Sequence, residues 1–339
     1  MNIKAVARMA GVSTATVSRT INGSDKVSPE TAERVRQAIT ALNFYPDTNA
    51  RALGSGRSSL YGLIISDITN PFFPELVKAF EDIAVEHGQE VLVANTNYDP
   101  ARMETCVRRM LQRKVDGLAI MTSEMDDRLL EVVTRRDIAL VSLDTVAPAP
   151  GWSSVRMDYA EGIVSGLEHL TSLGHRRIAF LSGPMRLNSA RVRLQAFRSF
   201  MERNDLAVEP HLVQEGNHRV EGGRDAMQRI LDSTANGSRP TAVMASNDLT
   251  AIGALGAIHD AGLRVPEDIS IVGYDDIQLS AYTQPALTTL RLSRTEIATA
   301  AFRALFKARR DGDNKPPDGE DHIIRPVLVL RKSTGRAKS

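Results

Sequence analysis

Residues 2–22 constrain this chain more than any other stretch, because two short apolar stripes are separated by a single glycine turn. Ile3, Val6 and Ala7 recur at the spacing of one helical face. Gly11 supplies the backbone freedom for a tight turn, and Ser13 is placed to cap a second helix by accepting from the Thr16 amide. Val17 and Ile21, four apart, face back toward the first helix. Thr14, Ala15, Ser18, Arg19 and Asn22 are left on the opposite face. A third helix follows, with Ser28 as cap, Pro29 at its first position, and Ala32, Val35, Ile39 and Leu42 turned inward. The pattern predicts a helix-turn-helix. An outward face of small hydroxyls, one Arg and one Asn suits a DNA major groove, where base edges present donors and acceptors.

At Tyr45-Pro46 the chain must leave the helix, since Pro disfavours a helical residue before it. Asp47 to Gly54 then has the length and caps of one short helix, with Asp47 at its start and Gly54 at its end. Two exposed turns are marginal in water, so such a helix needs outside support. Leu53 has no core to enter, and beside Arg51 it has the makings of an apolar wedge for a minor-groove base step. An ordinary linker is the plainer alternative. Charge agrees with a nucleic-acid-facing head. Residues 1–60 hold eight Lys/Arg and four Asp/Glu, a net of +4, against −3 for the remainder.

From Leu60 short apolar strands alternate with amphipathic helices, the signature of parallel α/β sheets. Strands are expected at Tyr61–Ser66, Glu90–Ala94, Gly117–Thr122 and Ile138–Leu143. A break at Ala147-Pro148-Ala149-Pro150-Gly151 follows, and a second set comes at Arg177–Ser182, Ala242–Ser246 and Ile269–Val272. Two doubly wound parallel-sheet subdomains are therefore predicted behind the all-α head. The chain is expected to return to the first at Thr288–Leu292 and a helix over 295–310, then finish in the second with His322–Arg331. The resulting domain scheme is 1–45, a hinge at 46–58, and a core at 59–333. In the core, the first subdomain takes 59–157 and 287–318, the second takes 158–286 and 319–333, and 334–339 is a tail.

Catalytic signatures are absent from the sequence. It has no G-x-x-x-x-G-K-[ST] phosphate loop, no G-x-S-x-G elbow and no H-E-x-x-H spacing. Asp275 and Asp276 are adjacent, and neighbouring carboxylates on a loop seldom aim at one atom. No enzyme, no cofactor and no metal are expected. The single cysteine, Cys106, allows no intrachain disulfide and fits a reducing compartment. With no signal-peptide run and no membrane-length apolar stretch, a cytoplasmic protein is expected.

The run Ile3 to Asn22, the segment Pro46 to Leu53 and four later motifs together resemble the lactose/galactose repressor family of bacterial transcription regulators, along essentially the whole chain. The later motifs are Ser66-Asp67-Ile68-Thr69-Asn70-Pro71-Phe72-Phe73, Leu173-Gly174-His175-Arg176-Arg177-Ile178-Ala179, Ala245-Ser246-Asn247-Asp248 and Gly273-Tyr274-Asp275-Asp276. The resemblance implies a repressor built on a periplasmic-binding-protein-like core, binding a pseudo-palindromic operator as a homodimer. It implies that Thr14 and Ala15 vary with operator, that Thr16, Ser18, Arg19 and Asn22 make shared groove and phosphate contacts, and that Leu53 wedges into the central step. Asn49, Ala50 and Arg51 accompany Leu53 in the hinge. It also implies that Arg193 grips a small effector, with Asn247 and Asp275 as polar contacts. Asp67, Phe72, Phe73 and Asp144 then line the first subdomain's side of the cleft, and His218 stands where relatives often stack an aromatic ring.

Each position has a plainer reading. Phe72 and Phe73 are candidates for core, Asp158 and Asp248 for helix caps, Asp275 for a turn with Asp276, Arg193 for a surface ion pair, and His175 for a structural role. Arg193, Arg219 and His218 in one pocket favour an anionic carbohydrate, a sugar acid or sugar phosphate, over a neutral sugar. His218-Arg219, where purine-responsive relatives carry an aromatic-acidic pair, disfavours a purine. The closing residues 332–339 carry no leucine heptad, so a dimer is expected rather than a tetramer. The competing class is a carbohydrate-binding or carbohydrate-processing protein with an incidental N-terminal module.

Overall fold

A computed structural model describes all residues except 1, 22, 46–57, 123–126, 137, 145–147, 235–237, 309–317 and 339. Asn22 and the hinge residues Asn49, Ala50, Arg51 and Leu53 lie outside the described residues. The chain forms two compact units, Met1–Ser59 and Leu60–Ser339.

The first unit holds α1 (Ile3–Ala10), α2 (Thr14–Ile21) and α3 (Pro29–Ala41). Asn2 caps α1 by accepting from the Ala5 amide, and Gly11 ends it in the left-handed region at φ +66°. Ser13 Oγ accepts from the Thr16 amide at 3.1 Å, and Ser28 caps α3 ahead of Pro29. Val6, Ala7, Ala10, Val17, Val35 and Ala38 are buried together, edged by Ile3, Ile21, Ile39 and Leu42. Arg34 donates to the Ala10 carbonyl at 3.1 Å, satisfying a helix-end acceptor that would otherwise face water.

The second unit is two six-stranded sheets. The first contains β1 (Leu60–Ile65), β2 (Glu90–Asn95), β3 (Gly117–Met121), β4 (Ala139–Leu143) and β5 (Trp152–Met157), joined by α4 (Phe72–Glu86), α5 (Pro100–Gln112) and α6 (Asp127–Thr134). The second contains β6 (Ile178–Ser182), β7 (Val213–Glu215), β8 (Ala242–Ala245), β9 (Ser270–Asp275) and β10 (Thr288–Arg291). Its helices are α7 (Tyr159–Ser172), α8 (Asn188–Arg203), α9 (Val220–Ser233) and α10 (Asp248–Asp260). After β10 come α11 (Arg294–Lys307), β11 (Asp321–Ile324) and β12 (Val327–Val329). The strand orders are β11-β5-β4-β3-β1-β2 and β12-β10-β9-β8-β6-β7. All pairings are parallel except β10 with β12. Strands β3, β4 and β6 are buried at every residue, as parallel strands covered on both faces must be. Tyr61, Phe80 and Phe302 meet edge to face and fasten α4 and α11 to the first sheet.

The return path differs from expectation. Residues 288–292 are expected in the first subdomain, yet Thr288–Arg291 pairs with β9 in the second sheet. The chain crosses at Leu292-Ser293, and α11 packs on α4. The segment His322–Arg331, expected in the second subdomain, is divided between the two sheets. Asp321–Ile324 joins β5 in the first sheet, and Val327–Val329 joins β10 in the second. Pro326 sits between them and has no amide for a ladder. The boundaries expected at 287 and 319 therefore fall near 292 and 325. Periodicity identifies a strand but not its neighbour. Nor is the segment after 333 a free tail. Ala337 donates to the Leu173 carbonyl at 2.9 Å, and the His175 ring meets the Gly335 carbonyl at 3.0 Å and Thr241 Oγ1 at 2.9 Å. His175 is thus a structural anchor for the chain end.

Candidate effector cleft and DNA-facing helix

In the first unit, the inward turn of Val17 leaves Thr14, Ala15, Ser18 and Arg19 exposed on α2. Thr16 is half-buried, and its hydroxyl lies 3.0 Å from Ser13 Oγ, so part of its bonding capacity holds the cap. The exposed set offers hydroxyl, methyl and guanidinium groups side by side, the chemistry that reads base edges and phosphates.

In the second unit, the carboxyl ends of the strands from both sheets converge on one cleft, where open α/β sheets bind ligands. It contains about 540 Å³ of empty space, part of it open to solvent. Phe72, Phe73, Asp144, Arg193, His218, Asn247 and Asp275 all line it. Phe72 and Phe73 are also core residues, packed edge to face with ring centroids 5.3 Å apart. They are wall and core at once, so the two readings of these rings do not exclude each other.

Arg193, on α8, dominates the electrostatics. It is 5% exposed, and its guanidinium carbon lies 4.3 Å from the ring centroids of both Tyr159 and Tyr274. Asp275 approaches it only to 3.9 Å, and Arg193 Nε has no hydrogen-bond partner among the described residues. The rings offer the cation their negative faces without using its N–H groups. Burial pushes the Asp275 carboxyl up to about 8, against the opposing pull of Arg193. Burial, then the charges of Arg193 and Arg186, bring His218 down to about 3, so its imidazole is neutral. The ring lies against Gly183, where a Cβ would come within 1.8 Å of Nε2. This nitrogen is also buried, with no hydrogen-bond partner among the described residues. The surface-pair reading of Arg193 therefore fails, because the side chain is buried and its Nε has no hydrogen-bond partner among the described residues.

Other expected contacts are already engaged. Asp67 does not line the cleft interior. It accepts from Thr69 and, at 2.9 Å, from Arg219. Burial opposes the Asp67 carboxylate, yet the donors from Thr69 and Arg219 outweigh it and its pKa is lowered. Asp144 accepts from the Met157 amide at 2.8 Å and the Tyr159 hydroxyl at 2.5 Å. Burial nonetheless raises its pKa. Asn247, rather than Asp248, caps α10: its Oδ1 accepts from Thr250 and its Nδ2 donates to the His218 carbonyl. Asp248 is instead a buried acceptor for Ile277, Ser280 and Thr289. Asp158 does cap its helix, accepting from the Glu161 amide.

Tyr98, Tyr159, Ser66, Asn70 and Ser189 also line the cleft and were not foreseen. Tyr159 was within reach, directly after the cap Asp158 at the first crossing between subdomains. Tyr98 carried no signal, because its place depends on left-handed backbone at Asn97 and Tyr98. Among the described residues no three His, Cys, Asp or Glu side chains cluster to hold a metal, and no helix is long and apolar enough to cross a membrane.

Comparison with known proteins matches this geometry at both ends of the chain. Residues 2–47 match the family described as bacterial regulatory proteins, lacI family, and residues 167–334 match the periplasmic binding protein-like domain. The HTH-type transcriptional repressor PurR of Histophilus somni strain 129Pt is 34% identical over 98% of both chains. The Lac repressor dimer, solved bound to operator and the anti-inducer ONPF, superposes with a TM-score of 0.85 at 31% identity, covering 99% of each chain. A LacI family transcriptional regulator from Enterococcus faecium with bound ribose covers 82% of this chain and 100% of its own, with a TM-score of 0.72 at 27% identity. With a helix-turn-helix, an effector cleft and full-length relatives that are repressors rather than enzymes, the chain belongs to the lacI family of bacterial regulatory proteins and is a DNA-binding transcriptional repressor.

Proposed function

We propose that two copies of this chain bind a pseudo-palindromic operator in the cytoplasm, and that a small neutral sugar in the cleft controls their affinity for it. In this account Thr14, Ala15, Thr16, Ser18, Arg19 and Asn22 contact each half-site, and Asn49, Ala50, Arg51 and Leu53 engage its centre. Effector binding would shift the paired first subdomains and so the spacing of the two hinges, which requires the ligand to prefer one of the two states.

The observation that carries the sugar class is the state of the charges around Arg193. An anionic ligand was expected on the premise of two free guanidiniums and an imidazole. Arg219 is instead paired with Asp67, and the His218 imidazole is neutral. Of those three groups only Arg193 is left as a charged donor in the cleft lining, facing Asp275 and Asp144. Such a mixed set of donors and acceptors, beside the apolar wall of Phe72 and Phe73, matches the alternating hydroxyls and C–H faces of an uncharged sugar. The ribose held by the Enterococcus faecium regulator supports this class. A purine nucleobase is the competing reading, raised by the PurR designation of the full-length relative.

Thermal unfolding against neutral sugars, sugar acids, sugar phosphates and purines tests the ligand. A ligand at one hundred times its Kd adds about 2.7 kcal/mol of stability. Stabilisation by a neutral sugar alone is expected. Stabilisation confined to acids, phosphates or purines would overturn the class.

A further inference from the structure

We infer that Arg219 is a latch that holds the cleft shut by bridging its two banks at the mouth. The three crossings between subdomains leave from β5, β10 and β11, at one edge of each sheet. Arg219 follows β7, at the opposite edge of the second sheet, and Asp67 follows β1, next to the opposite edge of the first. A bond so far from the crossings acts with the longest lever on opening.

Arg219 NH2 donates to Asp67 Oδ2 at 2.9 Å and to Asn97 Oδ1 at 3.0 Å, so one guanidinium ties together two loops of the other subdomain. The Asp67 side chain is 3% exposed and that of Arg219 41%, which seats the anion in the protein and leaves the cation within reach of solvent and salt. Asn217 Oδ1 accepts from the Arg219 amide at 3.0 Å and fixes the turn that aims the side chain. A second, longer tie runs beside it, from Arg186 NH2 to the Tyr98 carbonyl at 3.4 Å. Asn97 and Tyr98 on one bank and His218 on the other all have left-handed backbone. The latch rests on the effector reading of the cleft only for what it regulates: it sets how much of the closed state exists before a ligand arrives, and how fast a bound ligand leaves.

The test measures closure directly, with no effector present. Spin labels at Ala101→Cys and Glu221→Cys, in the full chain carrying Cys106→Ser, report the distance across the mouth by pulsed dipolar EPR. Both sites are exposed. At low salt the unsubstituted latch should give a dominant short distance. R219A should lower the ratio of short to long distances about tenfold or more, the effect of losing a hydrogen bond to a buried charge. R219E, which sets a carboxylate against Asp67, should lower it further. R219K, which keeps the charge without the fork, should fall between the parent and R219A. Raising salt should open the parent and scarcely change R219A. Distances that are the same in all four proteins, or that respond to salt equally in the parent and R219A, would overturn the latch. Failure of every sugar to bind would instead count against the effector proposal and leave these distances as they are.

Discussion

Replacing Arg193 with Met separates binding from folding. At pH 7 Asp275, pushed up to about 8, mostly holds its proton, so its 3.9 Å approach gives the cation little. The two flanking rings remain, each contributing about 2 kcal/mol to a desolvated cation. Against this stands the burial of a guanidinium, a cost of several kcal/mol even after relaxation. The terms nearly cancel, and Met fills much of the same space with no charge to bury. R193M should therefore stay within about 2 kcal/mol of the parent in ligand-free stability, whereas losing both attraction and volume to Ala would cost more. Binding has no such compensation. Two hydrogen bonds from a charged donor contribute about 1.5–3 kcal/mol each, so affinity should fall roughly 150- to 25,000-fold. Thermal unfolding with and without the stabilising sugar reads both quantities, and an operator gel-shift should show DNA binding intact. Unchanged sugar affinity in R193M would show that the cleft does not use this cation. A loss of much more than 2 kcal/mol would show that the guanidinium is a structural keystone.

Three further outcomes follow from the same geometry. Because the folded pKa of Asp275 is raised from 3.8 to about 8, the unfolded chain releases this proton first and stability is lost as pH rises between those values, by about 1.4 kcal/mol per pH unit. The stability difference between D275N and the parent should therefore grow from pH 5 to pH 8 and level off above; a difference independent of pH would contradict the shift. Gly183→Ala would place a methyl on His218 Nε2, so the ring must swing out at a cost of about 1–3 kcal/mol and sugar binding should weaken, measurable by calorimetry. Retained affinity and melting temperature would mean that His218 has room to spare. Leu53→Ala should weaken operator binding severalfold or more and leave sugar affinity alone, since the proposed wedge acts only on DNA; a parallel loss of both activities would refute the division of labour.

The helix-turn-helix was legible because its determinants are local. Ser13 and its capping partner Thr16 are three residues apart, Val17 and Ile21 four, and Gly11 marks the turn. The alternation of strands and helices was legible for the same reason. What was misread depends on partners distant in sequence. Thr288–Arg291 has the same apolar pattern whichever sheet receives it, and Pro326 is a local sign that residues 322–331 do not run on as one ladder in the second sheet. In the cleft, the family resemblance pointed to Arg193, His218 and Asp275, which do line it, but the sequence did not show which charges are already paired. Whether Arg219 faces a ligand or Asp67 is decided by a contact spanning 152 positions. The exchange of roles between Asn247 and Asp248 has a similar cause. Either can cap a helix, and only the approach of Ile277, Ser280 and Thr289 decides which side chain is drawn inward.

The central claim, one cleft governing one DNA-reading head, is tested most directly by fluorescence anisotropy of a labelled pseudo-palindromic operator titrated with the full chain, with and without the sugar that stabilises it. The account predicts a sequence-specific complex that weakens steeply with salt, carries two chains, and changes affinity at least tenfold when the sugar is added. R193M should form the same complex without the sugar response. A sugar that binds tightly and leaves operator affinity unchanged would contradict the account.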